Sequence, residues 1–412
     1  MLITIKITTH AQRLRKNNPP HRSSARRPGI DAFPFIQAGK FSLTIAQNFY
    51  KLIDIFLTVR IFWKGKQAMN QLRRDPITGI WTIMLQDGKE MVTVKPDGYR
   101  RLRHARPEET CEFCTGRESE TAPEIFALRS NNAPRNEPGW RVRVVPERVP
   151  VLQIHGEANN RGVGIYDMLD GIGAHELVVE TPAHGKIMTE LADHEIADVL
   201  IAYRERVLDL KRDARFRYIL VYKNVGEGRR GPSLRHSLSH IIATPITPLR
   251  AREELMNAQQ YFLLKERCIF CDMIRQELET SSRLVAENEN FIALCPFASR
   301  APFEIWILPK RHETFFEWNN DLPALARLLK LVLTKVRKGL GDPNHVMIIH
   351  SGPNLLAGRQ RGYWKTVERD FHWHLEITPR LRGATDFDIV AGFQVNWVPP
   401  ERAAELLRQC VV

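Results

Sequence analysis

ILVYKNVGEGRRGPSLRHSLSHIIATP, Ile219 to Pro245, joins an apolar strand-like run, a glycine-broken loop and a run in which histidine recurs. This is the layout of a phosphate site. Gly226, Gly228 and Gly231 can take positive φ and bring backbone amides close to phosphate oxygens, while Arg229 and Arg230 add positive charge. In the run that follows, His236, Leu238 and His240 share a face if the segment is a strand, because side chains alternate with period two. The middle position of the three is therefore a leucine. A glycine-rich turn alone is more often just a turn, so its meaning depends on what surrounds it.

Working outward, His175-Glu-Leu-Val-Val-Glu180 reads as a strand that ends at Thr181-Pro-Ala-His184, placing His184 at its exit. Thr189 to Asp213 spaces Leu191, Ile196, Leu200, Tyr203, Val207 and Leu210 as an amphipathic helix. Upstream, Gln71 to Met84 carries a Pro-Ile-Thr-Gly turn beside an alternating segment, which predicts a strand entering the first half. Downstream, Ala251 to Glu266 reads as a helix, and the order of features then recurs. Strands at Phe291–Leu294 and before Lys310-Arg-His312, a helix at Leu322–Lys338, a strand at Val346–His350, a glycine-containing loop and a histidine-bearing strand make an internal repeat.

The cysteines sharpen that repeat. Four of the six form Cys111-Glu-Phe-Cys114 and Cys268-Ile-Phe-Cys271, one pair opening each copy. The first copy runs Cys111, Cys114, His184, His236, and the second runs Cys268, Cys271, His312, His372. Two thiolates and two imidazoles per copy suit tetrahedral zinc, with no open position, hence two structural zinc ions per chain. Paired thiols in a cysteine-poor chain favour metal over disulfides and a reducing, cytoplasmic setting. Cys295 and Cys410 read as buried hydrophobes. The other histidines read as ordinary surface or core residues, although glycines near His175 leave room for a ligand.

Composition confines the alternatives. The 412 residues are 43% hydrophobic and 26% charged, enough for two ordinary domains and unlike a disordered chain. Residues 1–68 hold 12 Lys and Arg against Asp31 and Asp54, so they carry +10 of the net +13 and leave the rest near balance at +3. Nucleic-acid binding is therefore not expected of the body. Phe41 to Trp63 is apolar in patches but is broken by Lys51, Asp54 and Arg60, short of the ~20 residues that span a bilayer, so no transmembrane helix or membrane partner is expected. The acid-poor opening fits a disordered basic arm, an organelle transit peptide, or untranslated sequence ahead of a start at Met69.

With these residues assembled, the chain resembles the galactose-1-phosphate uridylyltransferase family, the transferase branch of the histidine-triad superfamily, over about Leu72 to Leu381. The resemblance lies in RRDPITGIW, the C-x-x-C pair, HELVVETPAH, KNVGEGRRGPS, NENFIALCPFASRAPFEIWILPKRH and FHWHLEITPRL. It implies an α+β fold of tandem histidine-triad-like halves, 69–250 and 251–412. Each is an antiparallel sheet with flanking helices, the two sheets joining into one, in a chain that forms a homodimer. It also implies a nucleotidyltransferase of carbohydrate and galactose metabolism, exchanging nucleoside monophosphate between a nucleotide sugar and a hexose 1-phosphate through a nucleotidyl-histidine. Carried onto this sequence, His236 is the zinc histidine, Leu238 takes the place of the nucleophile and His240 that of a phosphate-holding glutamine. Asn224, Gly231 and Ser233 match positions near the ribose and phosphates, whereas Gln86 to Met91 departs from the family's phosphate-contacting pattern. A leucine has no lone pair for phosphorus. His240 and His374, the latter at the second-half position equivalent to Leu238 with Glu376 to orient it, are the remaining candidates for catalysis, and a nucleotide-binding pseudoenzyme is the alternative.

Since residues 1–68 carry charge without a packing pattern, a chain beginning at Met69 is expected to melt within a few degrees of the full-length protein. Aggregation, or a much lower melting temperature, would make those residues part of the core.

Overall fold

The computed structural model describes residues 69–86, 110–130, 133–226, 236–358, 364–381 and 393–412. Residues 1–68, Asp87 to Met91, and Gly228, Arg229, Arg230, Gly231 and Ser233 lie outside the described residues.

The described part of the chain opens with β1 (Gln71–Arg74) and β2 (Trp81–Met84), folded back at Asp75 to Gly79. Asp75 makes that turn: its carboxylate accepts the Thr78 hydroxyl at 2.5 Å and the Ile77 amide at 3.0 Å, and Gly79 supplies φ +76°. Next come β3 (Phe126–Arg129), β4 (Trp140–Pro146), a small hairpin of β5 (Arg161–Val163) and β6 (Tyr166–Met168), and β7 (Ala174–Val179). After helix α1 (Asp193–Leu210), the quoted stretch supplies β8 (Tyr218–Val225) and β9 (Leu238–Thr244). The second half holds helices α2 (Leu249–Lys265) and α3 (Ile269–Thr280), then β10 (Leu284–Glu287), β11 (Phe291–Leu294) and β12 (Ile305–Pro309). Helix α4 (Leu322–Leu340), β13 (His345–His350), β14 (His374–Pro379), β15 (Gln394–Asn396) and helix α5 (Pro400–Gln409) complete it.

Ten strands form one antiparallel sheet in the order β10-β11-β12-β14-β13-β8-β9-β7-β4-β3. The repeat is visible in that order: β8, β9, β7, β4 and β3 lead outward from the centre as β13, β14, β12, β11 and β10 do on the other side. The halves meet where β13 pairs with β8, from His345 opposite Val225 to Ile349 opposite Val221. The expected tandem α+β fold with a single extended sheet is thus the fold observed.

Alternation along the strands decides what each face meets. Val178, Val221, Ile241 and Ala243 in the first half, and Ile305, Ile307, Ile349, Leu375 and Ile377 in the second, pack in one core with Ile196, Leu200, Leu325 and Leu329 of α1 and α4. Burying each such Leu, Ile or Val contributes about 1.5–3 kcal/mol. Gly341, at φ +74°, ends α4 with a left-handed cap. On the opposite face, Ile292, Leu294, Trp306 and Leu308 lie under Leu255, Ile269, Phe270 and Ile274 of α2 and α3. The outer strands of the first half carry Val145, Leu177 and Val179 against Cys111, Phe113 and Cys114.

Two findings differ from the sequence reading or add to it. Cys268 immediately precedes helix α3, so the second C-x-x-C runs into the first turn of a helix that the sequence reading did not place. Gln71 to Met84, expected in the first half, sits against the second: β15 runs parallel beside β2, Arg73 pairs with Glu401 at 2.9 Å, and Thr82 donates to the Ala298 carbonyl at 3.1 Å. Those partners lie more than 200 residues away, and local periodicity carries no trace of them.

Behind the start of β9 a charge is sealed into the core. Glu180 is 1% exposed and accepts from Lys223 Nζ at 2.7 Å, Ser237 Oγ at 2.5 Å, Tyr203 Oη at 3.1 Å and the Ser239 hydroxyl. Burial works to raise its pKa, yet the Lys223 charge and the hydroxyl donors bring it below the usual value. Removing one partner from such a pair strands the other. Glu180→Gln and Lys223→Met are each expected to cost about 3–5 kcal/mol in urea unfolding at pH 7, and the double variant Glu180→Leu/Lys223→Met less than their sum. A loss below about 1 kcal/mol in both single variants would show the pair to be dispensable.

Candidate functional site

The first cysteine pair is a tight knuckle in which the Cys114 amide donates to the Cys111 carbonyl at 3.2 Å. His184, just past β7, and His236, just before β9, close on it. Cys114 Sγ lies 3.2 Å from His184 Nδ1, and His236 Nδ1 lies 3.7 Å from Cys111 Sγ and 3.9 Å from Cys114 Sγ. In the second half, Cys271 Sγ lies 3.3 Å from His312 Nδ1 and 3.6 Å from His372 Nδ1. On a tetrahedral zinc the sulfur-to-nitrogen separation is about 3.6 Å. Cys268 joins this second group, and the ligand atoms of each foursome lie within 4.8 Å of one another.

The far side of three of the four rings tests the fit, while His184 Nε2 has no hydrogen-bond partner among the described residues. His236 Nε2 lies 2.6 Å from the Thr181 carbonyl, His372 Nε2 3.0 Å from that of Pro309, and His312 Nε2 3.0 Å from that of Glu368. A carbonyl only accepts, so Nε2 carries the proton and Nδ1 turns its lone pair to the sulfurs, the arrangement that orients metal-binding imidazoles. Burial lowers the pKa of His236 and keeps it neutral. In the second pair, the Cys268 hydrogen bond holds Cys271 well below the usual thiol range while Cys268 is pushed up, so one proton serves two sulfurs. Both donor sets suit zinc.

On the half-buried face of β9, Leu238 and His240 project together while Ser239, Ile241 and Ala243 enter the core. Leu238 packs against the Cys111 knuckle. His240 lies opposite Tyr222 across the β8–β9 pair, and their rings stack at 4.8 Å and 10°. Asn224, two residues along the same face of β8, is therefore level with Leu238. Its Oδ1 is buried without a hydrogen-bond partner among the described residues. Gly226 turns the chain at φ +108°, and a Cβ there would strike Asn344. On the other flank, His175 Nε2 lies 3.1 Å from His240 Nδ1, and Glu147 completes a group whose ligand atoms fall within 4.8 Å of one another.

The two catalytic candidates occupy different surroundings. His240 is half-buried, whereas His374 is wholly buried, stacked on His350 at 4.5 Å and 7° and on Trp306 at 4.7 Å. Burial, followed by the charge of His350, holds His374 down at about 3, so it stays neutral at physiological pH. Glu376, expected to orient His374, is bound instead to Arg250 and to Arg300, the latter at 2.6 Å. The neighbour of His374 is His350, whose Nδ1 lies 2.9 Å from Glu254. Burial works to raise the pKa of Glu254, but the interaction and hydrogen bond with His350, together with the Arg250 charge, bring it down to about 2. Sequence reasoning missed Glu254 and His350. The end of the Val346–His350 strand was a signal for His350, while Glu254 lay hidden among the charges of α2.

No family model matches the chain. It is 32% identical over 352 residues to the ADP-glucose phosphorylase of Arabidopsis thaliana, covering 84% of this chain and 95% of that one. With the galactose-1-phosphate uridylyltransferase of Thermotoga maritima it shares 27% identity over 355 residues, 84% of this chain and 99% of the other. The crystal structure of the Arabidopsis thaliana ADP-glucose phosphorylase with bound ADP-glucose superposes with a TM-score of 0.67 at 31% identity, covering 84% of this chain and all of that one.

Proposed function

The chain belongs to the galactose-1-phosphate uridylyltransferase family, and on that premise we propose that it binds a nucleotide sugar over the half-buried face of β9 and exchanges the nucleotidyl group with a sugar phosphate or phosphate. One observation carries the reading: β8 and β9 bring Asn224, Tyr222, Leu238 and His240 to one face beside the glycine-broken loop. The similar proteins include an ADP-glucose phosphorylase and uridylyltransferases, so ADP-glucose and UDP-glucose are the donors to test, with phosphate and galactose 1-phosphate as acceptors. A homodimer is part of the same proposal.

Leu238 shapes the chemistry. With no lone pair at that position, the acceptor's phosphate oxygen attacks the α-phosphorus directly while both ligands are bound, and the sugar 1-phosphate leaves. The bond to the acceptor forms as the α-phosphorus–oxygen bond to the leaving group breaks. The same leucine favours a second reading, a family member that binds nucleotide sugar without turning it over. Thermal shift and product analysis across those donors and acceptors separate the two. Products support exchange, binding without products supports the second reading, and no binding overturns both.

The two Cys2His2 groups are proposed as structural zinc sites. Zinc bound there would supply cross-links worth about 10–16 kcal/mol of apparent binding energy each, anchoring the Cys111 knuckle under Leu238 and helix α3 beside β12. Elemental analysis of metal-replete protein is expected to return two zinc ions per chain, falling by one in Cys111→Ser and in Cys268→Ser. Fewer than two in the wild type, or an unchanged count in either variant, overturns the assignment.

Leu238→His should restore a nucleophile to a strand already fixed by His236 on one side and Glu180 on the other. The variant is expected to gain one nucleotidyl mass on incubation with ADP-glucose or UDP-glucose, and the wild type none. An adduct on the wild type, or none on a folded variant that binds nucleotide, would show that position 238 does not set the chemistry.

A further inference from the structure

The two Cys2His2 groups share their donors but not their cover. In the first, Cys111 is 0% and Cys114 6% exposed, and Phe113, Trp140 and Leu177 close round them with Leu238 packed against the same cluster. Of its four ligands His184 alone is half-buried. In the second, Cys268 and His372 are buried, but Cys271 is half-buried and His312 is exposed. Solvent therefore meets the second group along the edge where Cys271 Sγ lies 3.3 Å from His312 Nδ1. The backbone differs as well. The first pair is a closed knuckle, whereas Cys268 stands just outside α3 with extended backbone, φ −73° and ψ 126°, and Cys271 lies in the first turn of that helix. The two sulfurs fall within 4.8 Å of each other, and Cys268, free of the helical backbone, is the partner that can turn to close the gap.

We propose that Cys268 and Cys271 are a peroxide-sensitive dithiol that oxidises to a disulfide and gives up its zinc, while the Cys111 and Cys114 pair keeps its own. The proposal rests on the zinc reading of both groups. Sulfurs that bind a metal are thiolates, the nucleophilic form, and the one that solvent reaches reacts first. Cys271 Sγ attacks an oxygen of hydrogen peroxide: an S–O bond forms, the O–O bond breaks, and the departing hydroxide takes up a proton as water. Cys268 Sγ then attacks Cys271 Sγ: the S–S bond forms, the S–O bond breaks, and a second hydroxide leaves and is protonated. The two sulfurs lose two electrons, and the peroxide gains them as it becomes two waters. A disulfide offers no thiolate to a metal, and His312 and His372 are left as two ligands where four stood. The tie between the start of α3, the end of β12 and the start of β14 is cut, while the tie beside Leu238 stays. Thiol reductants return the pair to the dithiol.

The test uses the full chain loaded with zinc, its metal content measured first. Hydrogen peroxide, followed with a colorimetric zinc indicator, is expected to release one zinc per chain about tenfold faster than the other. Peptide mapping of that fast phase should find a loss of two hydrogen masses on the peptide carrying Cys268 and Cys271 and none on the peptide carrying Cys111 and Cys114. Dithiothreitol with zinc should restore both the mass and the metal. Cys268→Ser is expected to show the slow phase alone, and Leu238→Ala, which uncovers the first knuckle, to quicken the slow phase and leave the fast one unchanged. Release of both ions at one rate, a first disulfide between Cys111 and Cys114, or sulfinic acid at Cys271 that dithiothreitol does not reverse would overturn the proposal. Fewer than two zinc ions before peroxide is added would overturn the zinc assignment itself, whereas two ions with no selective release would overturn the switch alone.

Discussion

A carboxylate in an apolar core must be answered on every side, and Glu180 is answered by four side chains from three elements. Lys223 comes from β8, Ser237 and Ser239 from the start of β9, and Tyr203 from α1. Lys223 also donates to the Leu238 carbonyl at 3.1 Å. The backbone that carries Leu238 and His240 is thereby gripped from behind, where no ligand reaches. A buried ion pair of this kind adds little net stability over a well-packed apolar alternative, but it tolerates few rearrangements. The strand that displays the site cannot slip by a residue without moving Ser237 and Ser239 off the carboxylate.

The two halves solve the same backbone in different ways. His236 and His372 stand just before equivalent strands, and each turns Nδ1 to a cysteine while its Nε2 meets a carbonyl. Two residues later the halves diverge. The first leaves Leu238 half-buried beside the Cys111 knuckle, and the second buries His374 between His350 and Trp306 beneath α2 and α3. Duplication supplied the frame, and the helices laid over it in the second half account for the difference.

How much of this was legible follows from the range of each interaction. The eight cysteines and histidines were readable in order because C-x-x-C is a local motif and because each histidine stands at the end of an alternating run. Individual strands, α1 and α4 were readable from periodicity, whereas the joining of the two sheets was what the family resemblance implied. Glu254 and Arg250 were not, since a charged residue in a helix looks alike whether it faces water or a buried imidazole, and their meeting with His350 and Glu376 depends on long-range packing that no local pattern encodes. His175 was flagged only through its glycine neighbours, while its contact with His240 depends on a diagonal across β7 and β9 that strand pairing alone creates. Gly231 and Ser233 lie outside the described residues, so their part in binding stays within the proposal.

The parallel pairing of β2 with β15 ties together segments more than 300 residues apart in the chain. Alone, β1 and β2 form a two-stranded hairpin of the kind that is marginal in water. Its partners are the Phe297 and Ala298 carbonyls after β11 and, in the last twenty residues, β15 and Glu401 of α5. During synthesis the ribosome therefore releases the first strands long before anything exists to hold them. The clasp closes only when β15 and α5 have emerged, so loss of those two elements would be felt first at β1 and β2.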